Sequence, residues 1–192
     1  MKLARASIAF DRNHRSLIAS GSAGQRVSTV LTPAEKTSAS KPSGSKNAPT
    51  SQLAVTSSQL SYTDADRKAH FSGDVVAKTA DATITAAKAD VFLQASSQAA
   101  ANESLTGTGK LDRIVAEGNV QITQPDRRAI GEQLVYTAAD DKFVLTGGPP
   151  SIFDAEHGKI TAVSLTFFRQ GDRVLVDGNA TNPAVTQTQL AR

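Results

Sequence analysis

The side chains of this chain that could do polar chemistry are few, and they stand apart. The three histidines, His14, His70 and His157, are widely separated, and there is no cysteine. Neither a thiolate metal site nor a compact His/Cys ligand cluster can therefore be assembled from sequence neighbours. His14 and His70 fall in or beside stretches that read as hairpin turns, and His157 lies in another, Asp154-Ala155-Glu156-His157-Gly158; each is expected to be a solvated turn residue. Asp64/Asp66 and Asp140/Asp141 resemble calcium ligands in type, but they sit where hairpin turns favour Asp, beside Arg67 and Lys142. Gly107-Thr108-Gly109-Lys110 lacks the spacing and the following Ser/Thr of a phosphate loop. The serines have no His-Asp partnership in any recognisable arrangement. The expectation is a non-enzymatic protein with no catalytic residue, no metal site and no cofactor.

What is left is the chemistry of apolar side chains, and the elements that position them are spelled by a repeat. Gln133-Leu134-Val135-Tyr136 leads through a polar turn to Phe143-Val144-Leu145-Thr146-Gly147, and Ser164-Leu165-Thr166-Phe167 leads through Arg169-Gln170-Gly171-Asp172 to Val174-Leu175-Val176-Asp177-Gly178. In both, an aromatic stands eleven residues before a glycine and the last apolar position falls two before it. The same spacing joins Tyr62 to Gly73 and Phe10 to Gly21. Period-two alternation puts one face of each strand towards a core, and the polar centre turns the chain back, so this is one hairpin written four times. The closing glycine predicts a bulge or corner. Stacking the copies aligns Ile84, Ala129 and Ile160, then Ala86, Gly131 and Ala162, then Ala89, Leu134 and Leu165, then Val91, Tyr136 and Phe167. The period slips by one residue between the second and third of these columns, which inverts every later side chain unless the strand bends there. Gly118-Asn119 reads as such a corner within Leu111 to Ile122.

No window sustains a period near 3.6, so the fold class predicted is all-β: bent antiparallel strands stacked as a jellyroll-like repeat, open at the ends. The chain divides into a partial N-terminal β-repeat over 1–31, a flexible low-complexity linker over 32–51, a β-domain over 52–180 with an irregular loop at 94–110, and a frayed tail over 181–192. Within that loop, Gln98 to Glu103 has the composition for a short helical turn, although a loop is the better reading. Apolar content of 39% with no Trp in 192 residues implies a thin, repetitive core. Net charge is +3, and the basic residues are scattered through turns, which argues against a nucleic-acid partner. No stretch approaches the roughly 20 apolar residues of a membrane-spanning helix. The start, Met1-Lys2-Leu3-Ala4-Arg5-Ala6-Ser7-Ile8, is basic but lacks the apolar run of an export signal. Since Ile8-Ala9-Phe10 already reads as a strand, the array is expected to continue upstream.

Two facing sheets that do not close leave a trough lined by the inward Ile, Leu, Val, Phe and Tyr side chains. It is either a plain core or a groove for long acyl chains, each buried methylene contributing about 0.8 kcal/mol. The run Asp112 to Ile122, with Ala129 to Tyr136, Val144 to Pro149 and Ile160-Thr161-Ala162, resembles the organic-solvent-tolerance (OstA-like) domain of the lipopolysaccharide transport proteins. The resemblance is clear over Leu111 to Gly178, weaker over Leu53 to Leu93 and faint over Ser7 to Gly21. It implies a periplasmic β-jellyroll whose interior shields the acyl chains of lipopolysaccharide, joined edge to edge to other jellyrolls of a transport bridge. Under it, Ile84, Val91, Leu93, Ile114, Ala116, Val120, Ile122, Leu134, Tyr136, Phe143, Leu145, Ile160, Leu165, Phe167, Val174 and Val176 would line the groove. Ala86, Gly131 and Ala162 would leave room for chains, and Arg113, Arg127 and Arg128 would stand at its rim. The competing reading is a structural β-repeat scaffold with a packed core and no lipid. An outer-surface glycan binder would need outward aromatic platforms, whereas Tyr62, Tyr136 and Phe167 have inward parity.

Overall fold

The computed structural model describes residues 6–22, 25–31, 53–80, 82–94, 111–155, 158–168, 173–181 and 183–187. The expected linker over 32–51, the Gln98 to Glu103 segment, the Gly107 to Lys110 run and His157 lie outside these. Among the described residues all regular structure is strand: β1 Ser7–Asp11, β2 Ser16–Ser20, β3 Val27–Leu31, β4 Leu53–Ser57, β5 Gln59–Thr63, β6 Lys68–Lys78, β7 Thr83–Leu93, β8 Leu111–Thr123, β9 Arg127–Thr137, β10 Lys142–Thr146, β11 Ser151–Asp154, β12 Gly158–Thr161, β13 Ser164–Phe168, β14 Arg173–Asp177 and β15 Val185–Gln187.

The repeat seen in the sequence is a repeat of register. Phe10 pairs with Leu17, Tyr62 with Ala69, Tyr136 with Phe143 and Phe167 with Val174. In the first three turns the residue five after the aromatic takes a left-handed conformation: Arg15, Arg67 and Asp141 have φ of 45°, 47° and 47°. The same turn geometry, set by the same spacing, therefore closes each of those hairpins.

These hairpins build one continuous half of the sheet, in the order β1-β2-β5-β6-β7-β8-β9-β10-β13-β14. The second half runs β3-β4-β6-β7-β8-β9-β11-β12-β15, through the pairs that leave the first path. The long strands β6 to β9 belong to both halves; their neighbours are interrupted at the same level, as at Ser58 between β4 and β5. The bend falls where the period slips. Registers shift between Ser72 and Val75, between Thr85 and Lys88, and between Glu117 and Val120. At the last of these, Gly118 and Asn119 take φ of 81° and 49° in succession. A Cβ on Gly118 would stand 2.8 Å from the Cβ of Ala87, so both the backbone conformation and the close approach require glycine there. Gly73 and Asp74 repeat the device, with φ of 78° and 50°.

Folding the halves over this bend brings their inner faces into a single apolar cluster that includes Phe71, Leu134, Leu145 and Leu165 from one side and Val75, Ala86, Ala129 and Ile152 from the other. Buried polar side chains are satisfied locally: the Ser57 hydroxyl donates to the Gln59 carbonyl at 2.9 Å, and the Ser151 and Thr161 hydroxyls meet at 3.0 Å. Among the described residues the sheet does not close, and its ends are the strands β1 and β3 on one side and β14 and β15 on the other. β15 lies within the segment expected to fray; Val185 to Gln187 pair with β12 through their backbone, with all three side chains exposed, so no apolar alternation announces them.

Candidate functional site

The ladders arrange the inward side chains in rows across the strands. Nearest the bend, Phe71, Ala89, Ala116, Leu134, Leu145, Leu165 and Val176 stand opposite one another in turn. This row is core: Phe71 is 1% exposed, Leu145 and Leu165 0%, and only Val176 is half-buried. One step towards the hairpin turns the next row runs Ala69, Val91, Ile114, Tyr136, Phe143, Phe167 and Val174. Here all but Val91 are half-buried. In the other half, Val120 lies deep at the bend, and Ala77, Ile84, Ile122, Ala129, Ile152 and Ile160 form the facing row. Ile84, Ile122 and Ile160 are again half-buried, as are Leu93 and Leu111 at the strand ends. The inward surface is thus buried near the bend and half-buried towards the turns, the outline of a trough whose two lips are the turn-side ends of the two halves.

All sixteen groove residues expected from the sequence lie on this inward surface, and they divide between its two levels. Ala116, Val120, Leu134, Leu145, Leu165 and Val91 are buried, whereas Ile84, Leu93, Ile114, Ile122, Tyr136, Phe143, Ile160, Phe167, Val174 and Val176 keep part of their surface open. The expectation that Gly131 leaves room for a ligand is corrected. A Cβ there would meet Leu145 Cγ at 2.8 Å, so the space is taken by leucine. Phe71, Val75, Ile152 and Leu60 belong to the same cluster and were not anticipated as lining. For Phe71 the signal was present, since it stands two residues before a repeat glycine.

Among the described residues no polar groups converge on the inward face. Tyr62 donates to Asp64 at 3.2 Å and Tyr136 to Asp141 at 2.9 Å, which turns both hydroxyls towards the hairpin turns. Burial, and then the Asp64 carboxylate, push the Tyr62 hydroxyl up from its ordinary range. Among the described residues no group of three or more His, Cys, Asp or Glu could hold a metal ion. The chemistry available is transfer of hydrocarbon out of water onto half-open apolar walls.

The polar groups lie outside. His14 is the solvated turn residue expected, paired with Asp11 at 2.7 Å. His70 is not: it sits within β6 on the outer face, its Nδ1 2.5 Å from Asp90 Oδ1, while Lys68 Nζ approaches Asp90 Oδ2 at 3.0 Å. Alternation within the strand, with Phe71 inward, explains the correction. Partial burial works against the charge of Asp90, but the contacts from His70 and Lys68 outweigh it and hold its carboxyl below the usual carboxylate range. A depressed native pKa adds stability above the unfolded value and loses it as pH falls through the folded one. Asp90→Asn is therefore expected to melt below the parent at neutral pH, with the difference closing below about pH 4; melting curves across that range check it. Of the rim arginines, Arg113 stacks on Phe92 and Arg128 donates to Gln121 at 2.7 Å.

Comparison with known proteins follows the same outline. The sequence model of the family described as LptA/(LptD N-terminal domain) LPS transport protein matches residues 54–173. No curated protein sequence matches the chain. Among solved structures, the crystal structure of LptH, the LptA homologous periplasmic component of the conserved lipopolysaccharide transport device from Pseudomonas aeruginosa, is similar in fold. It has 16% sequence identity and a TM-score of 0.54, with 70% of this chain and 94% of that chain covered.

Proposed function

The chain belongs to the LptA/LptD N-terminal domain family of LPS transport proteins, and from that membership we propose that it is a periplasmic, non-enzymatic carrier module that shields lipopolysaccharide acyl chains in its trough. The observation that supports this most is the two-level burial of the inward face. A scaffold with a closed core has no reason to leave Ile84, Ile114, Ile122, Phe143, Phe167 and Val174 half-open on one continuous surface. Acyl chains laid over them would cover that surface, at about 0.8 kcal/mol for each methylene removed from water. The open ends of the sheet fit the second part of the proposal, that neighbouring jellyrolls of a transport bridge extend it by edge-strand pairing. Among the described strands β1 and β15 are each paired on one side only, which leaves an edge for this.

Equilibrium binding to lipopolysaccharide and to its deacylated glycan tests the proposal. Saturable binding of the acylated form, with the deacylated form at least tenfold weaker, is expected, since a few buried methylenes already exceed the roughly 1.4 kcal/mol of a decade. Equal binding of the two would move recognition to the sugars and sink the trough as the carrier site.

A further inference from the structure

Outside the trough, the phenylalanines that face outward are Phe92, Phe153 and Phe168, and each stands between two cations of the adjoining strands. The registers set Lys68 and Arg113 on either side of Phe92, and Lys142 and Arg173 on either side of Phe168. In the other half, Arg128 and Lys159 flank Phe153 in the same way. Arg113 lies 4.4 Å from the Phe92 ring centroid, Arg173 4.2 Å from that of Phe168, and Lys159 5.4 Å from that of Phe153. Among the described residues these three cations have no carboxylate partner, whereas Lys68 and Lys142 are engaged by Asp90 and Asp140 at 3.0 and 2.8 Å. All three triplets occupy the ends of their strands next to the turns, two on one lip of the trough and one on the other.

Cross-strand cation–π contacts stabilise a ladder, and that accounts for a ring with one cation. It does not account for every outward phenylalanine being flanked twice, at the lips, with at least one cation in each triplet left without a counter-charge among the described residues. A cation placed over a ring has already lost much of its rotamer freedom while its remaining N–H groups stay available, so an anion meets a prepared donor. Aromatic rings beside long basic side chains suit a boundary where the stems touch hydrocarbon and the charges meet headgroups. Of the aspartates at the turns beside Phe92 and Phe168, Asp64 is engaged by Arg15 at 3.1 Å, Asp140 by Lys142 at 2.8 Å and Asp141 by the Tyr136 hydroxyl, while Asp66 and Asp112 stand exposed. Phe92 and Phe168 are four ladder steps apart, about 19 Å at the usual strand spacing, a span that calls for many anions in a plane rather than one small ion.

We infer that the two lips form a docking surface for the headgroup layer of an anionic bilayer, with the mouth of the trough towards the lipid. This holds whatever the trough contains. Flotation of the full chain with phosphatidylcholine vesicles, and with vesicles that also contain phosphatidylglycerol, tests it. Binding is expected only to the anionic vesicles. The pair Arg113→Gln and Arg173→Gln should weaken it by about fivefold for each cation removed, about 25-fold together. Arg26→Gln with Lys88→Gln removes as much charge away from the lips and should leave binding within about twofold of the parent, as expected for charges held off the surface. Lys159→Gln, on the opposite lip, should cost about fivefold by itself and serves if the double variant does not fold. Equal binding to neutral vesicles, lip variants that fold and bind like the parent, or an equal loss in the control pair would overturn the inference.

Discussion

Ile114→Asp is expected to weaken lipopolysaccharide binding by about 10- to 100-fold while the chain stays folded. Ile114 sits in the half-open row between Val91 and Tyr136, so a carboxylate there can reach water in the empty trough and need not unfold it. With acyl chains in place the same carboxylate loses its water, and the hydrocarbon contact of the isoleucine is gone. Loss of a buried aliphatic side chain is worth about 1.5–3 kcal/mol, and each 1.4 kcal/mol is about tenfold in affinity. Titration with lipopolysaccharide, paired with a melting curve, separates the two readings of the trough. If the variant melts far below the parent while affinity per folded molecule is unchanged, Ile114 is packed core and the scaffold reading gains.

Leu145→Ala acts on the floor instead. Leu145 is fully buried and fills the space over Gly131, where no side chain stands to relax into the void. Truncation of a buried leucine costs about 2–5 kcal/mol, with the larger values where the site cannot collapse, a sizeable part of the roughly 5–15 kcal/mol that hold a domain together. Leu175 in β14, 49% exposed on the outer face, is the control: its alanine variant should stay within about 0.5 kcal/mol of the parent. Chemical denaturation of the three proteins gives the comparison.

The architecture was legible because one spacing fixes three things together. An aromatic eleven residues before a glycine sets the hairpin register, the inward parity and the level of the bend, and Tyr62, Tyr136 and Phe167 each pair seven residues on as that spacing requires. The one-residue slip at Ala86 to Ala89 likewise announced the register shift between Thr85 and Lys88. What was not legible depends on contacts between strands distant in sequence. His70 carries no sign that Asp90 will stand opposite it until β6 and β7 are paired, and a histidine soon after a polar turn reads as part of that turn. The cation–Phe–cation triplets are hidden for the same reason, since Phe92 meets Lys68 and Arg113 only through two ladders. Gly131 misled in the opposite direction: a column of small residues shows that space exists, but not that Leu145 already occupies it. The division of the inward face into floor and walls also lies beyond alternation, which assigns a side of the sheet and says nothing of depth.

The most direct measurement places a photo-crosslinking amino acid at Ile114 or Phe143 on the inner wall and, in separate proteins, at Val115 or Val144 one residue along on the outer face. Irradiation with lipopolysaccharide should give adducts from the two inner positions and none above background from the outer pair. Adducts from Val115 and Val144 alone, or from all four alike, would contradict a trough that takes up acyl chains.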